Sequence, residues 1–444
     1  MRGRIADGYW PSPWPGEDGG PQRRQQPTPV PGFGPWLDLQ PGERLEARCR
    51  HDFAFGMVVL REPGEVFLFG HTMGSADTTS WVERIDPDSL DPIERSPDLA
   101  GGPFWAGGMA AHANGSLYVT YGRWCHRLAP DCTVIASREL PRERPYNSLV
   151  ILPDGHLVMK DFAGGDGVHA LPPDLNGSEL VVLEPDGLEI VDRLELDQGS
   201  ISRLSAGVDE RAGRSEPYVY VVGERDTLRV TWDERALRLG LQPSDVTPYR
   251  TIEGQTFGWD PVLTDDSAWF LDNGEGSTNF GPSFRGKGGA STAPLHLIRM
   301  PLAGGRSRVP TYLEVCDQPG GLIANPPIID VERQIAVGYD SAHGVMRAWT
   351  FERDGSGAPQ ERWVRDQDHA SHCILFGATG ELVTGDFDHE AGVDAVVVLD
   401  IETGEERARV VTESPLQSVL FPCPGWSRDL YTLSFTTLTH VTVH

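Results

Sequence analysis

The chain has 444 residues, a formal net charge of −27 and 39% hydrophobic residues, with no apolar run near the ~18 residues that a membrane span needs. Binding to a phosphate backbone rests on lysine and arginine, so so large an acid excess, with Lys160 and Lys287 the only lysines, argues against a nucleic-acid partner and the missing apolar run against a membrane one. The composition leaves the oligomeric state open.

The opening stretch MRGRIADGYWPSPWPGEDGG lacks the apolar core of a secretory signal, so a cytoplasmic protein is expected. Residues 1–36, rich in Pro, Gly and Trp, cannot make paired strands; they are expected to wrap the outside as an extended arm, with residues 37–444 forming the folded body. The six cysteines are scattered without a C-x-x-C, which predicts free or buried thiols rather than a redox motif or a cysteine zinc site.

From Phe53 onward one unit recurs: a short apolar run, a polar turn, and a second apolar run. It reads FAFGMVVLREPGEVFLFGH from Phe53, FWAGGMAAHANGSLYVTYG from Phe104 and RPYNSLVILPDGHLVMKDF from Arg144. Further copies begin at Ser200, Phe257, Ile323, Ser371 and Gln417. Apolar runs around Pro-Asp-Gly or Asn-Gly turns are β-hairpins. Most copies are followed by a second hairpin, such as LVVLEPDGLEIVDRL and VVVLDIETGEERARV. Four antiparallel strands recurring at roughly 40 to 65 residues make a propeller blade. The fold expected is therefore all-β, a single β-propeller of eight blades, with seven as the fallback because the fourth repeat is irregular. The last hairpin has one further strand candidate, HVTVH, and RLEARCR before the first hairpin has no partner. Pairing that N-terminal strand with the C-terminal blade would close the sheet set. Helix content should be very low, with ERALRLGL near Glu234 as the one short helical candidate.

In such a blade the chain reverses at every turn, so starts of first strands and ends of second strands share one face. The short turns REPGE, HANG and LPDG lie on the other. On the shared face the sequence concentrates its reactive side chains. From the strand starts come His51, Tyr146, Asn147, Arg203, Trp259, Asp260, Asn325, His369 and His372; from the ends come His71, Lys160, Arg225, Asp272, Asp340, Asp386 and His389. The long glycine-rich connections 71–81, 161–179 and 272–296 also leave this face, as lids over a substrate site would.

The opening Asn147, the turn Pro153, Asp154, Gly155 and the closing Asp161 resemble the blade repeat of the gluconolactonase, regucalcin and strictosidine synthase superfamily. That resemblance implies a calcium ion held by Asn, Asp and Glu oxygens, polarising a lactone or ester carbonyl. LDIETGEERARV, with Asp400, Thr403 and Gly404, is similar to quinoprotein-type repeats, though the closing Trp and the vicinal cysteine pair of quinone-dependent dehydrogenases are absent. HDFAF at His51 resembles the histidine motif of carotenoid oxygenases, which hold iron(II).

These readings give a metal-dependent enzyme acting on a small molecule in a central channel, by lactone or ester hydrolysis or a related lyase or isomerase step. The expected metal ligands are Asn147, Asp260, Asn325, Asp340, Asp386 and His369, with calcium favoured because a hard cation takes six to eight oxygens. Proton transfer falls to Asp272 or His372, with Lys160 and Arg203 as further catalytic candidates. Tyr146, Trp259, Arg225, His51 and His71 are the substrate-binding candidates. Two alternatives stand beside this: an oxidoreductase or oxygenase with iron or copper on the histidines, and a non-catalytic propeller binding a ligand or protein.

Overall fold

The computed structural model describes residues 5–30, 37–74, 77–164, 173–210, 215–274, 280–289, 291–323, 325–355 and 357–444. Parts of all three expected lid loops, and residues 1–4 and 31–36 of the arm, lie outside these.

The described residues contain no α-helix, only 3-10 turns such as Ile5–Gly8 and Glu17–Gly19. They form eight antiparallel sheets, seven built on four consecutive strands and one on the last three strands joined by the N-terminal strand. This is the expected all-β propeller fold, with eight blades and not seven. Two compact units share the blades, Met1–Gln22 with Gly56–Tyr249, and Arg23–Phe55 with Arg250–His444. In the first unit the blades begin with the strands Phe55–Leu60, Gly108–Ala111, Tyr146–Ile151 and Ser205–Asp209. In the second they begin with Val262–Leu263, Ile328–Asp330, Ile374–Phe376 and Cys423–Pro424.

The hairpins fall where the apolar runs place them. Tyr146–Ile151 pairs with Leu157–Asp161 across the Pro-Asp-Gly turn, in which Gly155 adopts φ +90°, a backbone region open to glycine and costly for other residues. Both strands are buried throughout. Their apolar faces pack with the neighbouring blades, Val150 and Val158 against Val219 and Trp232, and Ile151 and Met159 against Ala110 and Tyr118. The eighth blade takes its fourth strand from the other end of the sequence. Leu45–His51 pairs in register with Thr437–Val443, from Leu45 opposite Val443 to His51 opposite Thr437.

Two expectations need correction. ERALRLGL is not helical: Asp233 Oδ1 accepts the amides of Arg235 and Ala236, and the chain turns back into the strand Arg238–Gly240. An Asx turn there competes with helix initiation and wins, because the returning strand then pairs with Thr231–Asp233. The described part of the N-terminal arm does not wrap the outside. It runs along the unpaired edges of the first strands, which would otherwise leave backbone groups without partners. In the first unit Leu60 donates to the Trp14 carbonyl, Ala111 to that of Pro15, and Ala206 to that of Pro21. The Ile151 amide donates to Tyr9 Oη at 3.0 Å. In the second unit Gln25 bridges two blades: its amide Nε2 donates to the Pro327 carbonyl, while its Oε1 and main-chain carbonyl accept the amides of Cys373 and Leu375.

Arg203 locks the arm into the first unit. Its guanidinium lies 3.2 Å from Glu17 Oε1 and also donates to the carbonyls of Ala106, Gly107 and Asn147, with both ion-pair partners buried. Removing one partner of such a pair strands the other charge away from water. Arg203→Ala is therefore expected to destabilise the protein by about 3–5 kcal/mol. Denaturant unfolding measures this, and a loss below ~1 kcal/mol would show that the arm is not held by this pair.

Candidate functional site

At the polar edge of the blades, one pattern recurs at four aspartates. Each stands at or near the end of a second strand and accepts backbone amides from the connections that flank its blade's strands. Asp161 Oδ1 accepts the Glu179 amide at 2.5 Å, Asp272 Oδ1 that of His296 at 2.7 Å, and Asp386 Oδ1 that of Asp368 at 2.8 Å. Asp340 Oδ1 accepts three, from Leu322, Ala342 and His343. A buried amide without an acceptor costs about 1–3 kcal/mol, which is the structural reason for these carboxylates.

What each second oxygen meets decides the chemistry. Asp161 Oδ2 faces Arg142 at 3.3 Å and Arg144 at 3.4 Å, and Asp386 Oδ2 binds Arg409 at 2.7 Å. Both are consumed by guanidinium groups. Asp272 Oδ2 instead accepts from His296 Nδ1 at 3.0 Å and Gln255 Nε2 at 3.0 Å, and Asp340 Oδ2 lies 2.7 Å from His343 Nδ1. These two aspartates each orient an imidazole.

Asp272 is fully buried, and that burial pushes its carboxyl above the usual carboxylate range despite the opposing pull of His296. His296 is the second residue of the run LHLIRM in the strand Pro294–Pro301, and the register that places Leu271 opposite Leu297 brings its ring to Asp272. Tyr312 meets the ring edge-on at 5.9 Å and bonds Thr251 through its hydroxyl. His296, Gln255, Cys316 and His343 were not among the sequence candidates. His296 could have been found by asking which histidine opens the strand paired with an Asp-ended one.

Within the second unit, His369 is buried; its Nδ1 accepts the Gly385 amide, its Nε2 lies 3.4 Å from Cys373 Sγ, and burial pulls it down to about 3. His372 packs on Phe421 at 3.9 Å between ring centres. Asn325 Nδ2 donates to the carbonyls of Ala370 and Val419. His51 does not start a first strand. It ends the outer strand Leu45–His51, partly exposed, near Thr437 and Glu413. His389 pairs with Asp368 at 2.7 Å. Asp260 is buried beside the buried Trp259, whose ring a Cβ on Gly274 would approach to 2.5 Å.

Within the first unit, Lys160 is buried and donates to the carbonyls of Asp161 and Ser200 at 3.0 and 2.7 Å. Tyr146 accepts the Arg142 amide, and burial raises its phenol strongly. Asn147 Nδ2 reaches the Ile201 carbonyl at 3.4 Å. Arg225, half exposed, donates to the Asp197 carbonyl. His71 stacks on Tyr121 at 5.0 Å, and burial lowers it to about 4.

Calcium needs many free oxygens. Asp340 and Asp386 give Oδ1 to amides and Oδ2 to His343 and Arg409, and Asn325 turns its amide nitrogen to two carbonyls, so these three present few.

Residues 280–289 of the 272–296 connection bridge three blades of the second unit. Gly286 donates to the Ala342 carbonyl, Phe284 to Gln417 Oε1, and Arg285 pairs with Asp366 at 2.7 Å and Asp368 at 3.1 Å.

No protein-family model matches the chain, and no curated protein matches it. Solved structures do. The chain is similar to the Dos1 propeller, with TM-score 0.54 and 10% identity over 90% of this chain and 95% of that one. It is similar to BamB from Moraxella catarrhalis, with TM-score 0.50 and 10% identity over 89% and 98%. It is also similar to the periplasmic gluconolactonase PpgL of Pseudomonas aeruginosa, with TM-score 0.46 and 10% identity over 85% and 90%. At such identity the likeness is one of fold. No helix among the described residues is long and apolar enough to cross a membrane.

Asp394 supplies a pH test of this edge. It is buried, accepts from Ser418 Oγ at 2.5 Å, and its carboxyl is pushed up to about 7 by burial. A carboxyl whose folded pKa lies above its unfolded value favours the folded state fully below the unfolded value. That contribution is lost as pH rises through about 7. Asp394→Asn should remove this dependence and stabilise the protein at pH 8 relative to pH 5, by on the order of a few kcal/mol. Thermal or urea unfolding of both proteins at the two pH values reads the difference; parallel curves would refute it.

Proposed function

We propose that the protein is a hydrolase of small neutral carbonyl compounds, lactones or esters, in which His296 moves the proton and Asp272 holds His296. The observation supporting this reading is the buried Asp272 carboxylate bound at once to the His296 amide, to His296 Nδ1 and to Gln255. With Nδ1–H donating to Asp272, the His296 Nε2 lone pair is the basic one.

In the proposed reaction His296 Nε2 takes a proton from water as the water oxygen bonds to the carbonyl carbon. The tetrahedral adduct then expels the alkoxide, which recovers that proton from the imidazolium. Asp272 stays ionised and stabilises the imidazolium; Gln255 keeps its Oδ2 in place. Such general base catalysis supplies roughly 10²–10⁴-fold. A divalent ion would add polarisation of the carbonyl. The net charge of −27 disfavours polyanionic substrates, which is why neutral lactones and esters are the first class to try.

Asp272→Asn and His296→Ala should each lower kcat about 10²–10⁴-fold on a panel of neutral lactones and esters, with unchanged circular dichroism. The wild-type rate should fall on the acid side, where the pair takes up a proton. If the wild type turns over nothing on the panel faster than the variants do, the hydrolase reading fails and a non-catalytic binding propeller takes its place.

A further inference from the structure

The second aspartate that orients an imidazole belongs to a different group of donors. Cys316, on the strand Thr311–Pro319, Asp340, at the end of Ile335–Asp340, and His343, in the turn that follows, each place one donor atom within 4.8 Å of the other two. We propose that these residues bind a zinc-class divalent ion through a thiolate, a carboxylate and an imidazole.

Three features make this a prepared site. Three amides fix the carboxylate of Asp340 through Oδ1 and leave Oδ2 toward His343. Gly321 keeps that oxygen accessible, since a Cβ there would lie 2.4 Å from Asp340 Oδ2. Gly344, at φ +67°, turns the chain directly after His343 and returns its amide to the Asp340 carbonyl. Cys316 is buried and in no disulfide. The His343 side chain, 23% exposed, opens the group to solvent.

Ligand chemistry selects the ion. Zinc binds sulfur at about 2.3 Å and nitrogen or oxygen at about 2.0–2.2 Å in a tetrahedron, so its ligand atoms lie roughly 3.3–3.8 Å apart. Zinc would draw the sulfur in by up to about 1 Å and open the 2.7 Å contact of His343 with Asp340 by roughly half an ångström or more, a rearrangement that the side chain of the turn residue His343 can supply. A thiolate and an imidazole suit zinc and cobalt, and not calcium. Binding replaces the thiol proton and the proton shared by His343 and Asp340, and leaves a fourth position to water. Arg347 and Asp317 are the other charges beside Cys316.

The test is independent of the hydrolase reading. The full chain, stripped with a chelator, is titrated with Co²⁺ while the near-ultraviolet thiolate-to-cobalt band is followed, and zinc content is counted by elemental analysis. One ion per chain and a band that Cys316→Ser abolishes are expected, with Zn²⁺ displacing Co²⁺. His343→Gln, a change at a partly exposed side chain with folding checked by circular dichroism, should weaken cobalt binding about tenfold or more. Absence of the band, its survival in Cys316→Ser, or unchanged affinity in His343→Gln would overturn the site.

Discussion

A peptide group buried away from water must find a hydrogen-bond partner, and most of the polar architecture of this protein follows from that requirement. The blades satisfy it internally except at two places. One is the free edge of each first strand; the other is the edge where second strands end and the chain leaves to begin the third. The N-terminal segment serves the first, through Trp14, Pro15, Pro21 and Gln25. Carboxylates serve the second, at Asp161, Asp272, Asp340 and Asp386.

This double use of aspartate separates structure from chemistry on the same edge. Where the second oxygen meets arginine, as in Asp161 and Asp386, the charge is spent on packing the edge together. Where it meets histidine, as in Asp272 and Asp340, the carboxylate orients an imidazole, and an oriented imidazole can carry a proton or bind a metal. All four residues stand at or near the end of the second strand of their blades. The difference comes from what the opposing strand or turn supplies.

The same requirement explains why the arm is buried. A segment rich in Pro and Gly cannot pair as a regular strand, yet its carbonyls can accept from strand edges one at a time. Glu17 and Arg203 fix it where the first strands of several blades come near one another in the first unit. Its length and its prolines predicted an extended arm wrapped around the outside; composition fixes the extension, while the path follows from the strand edges that need partners.

Periodicity, turn chemistry and repeat spacing determined the fold by themselves. Alternating apolar runs around Pro-Asp-Gly or Asn-Gly turns can satisfy their backbone only as hairpins, and the unpaired RLEARCR and HVTVH required each other. The edge that collects the polar residues was equally legible, because strand reversal is a matter of counting. Which of those residues work together was not. Asp272 and His296 are 24 positions apart and meet through strand register, and Cys316 joins Asp340 and His343 from a different blade. Lys160, Arg203 and Asn325 look reactive in the sequence, but the folded chain commits them to backbone carbonyls. Local sequence limits what a side chain can do; its neighbours across the sheet, brought there by tertiary pairing, decide which of those capacities remains.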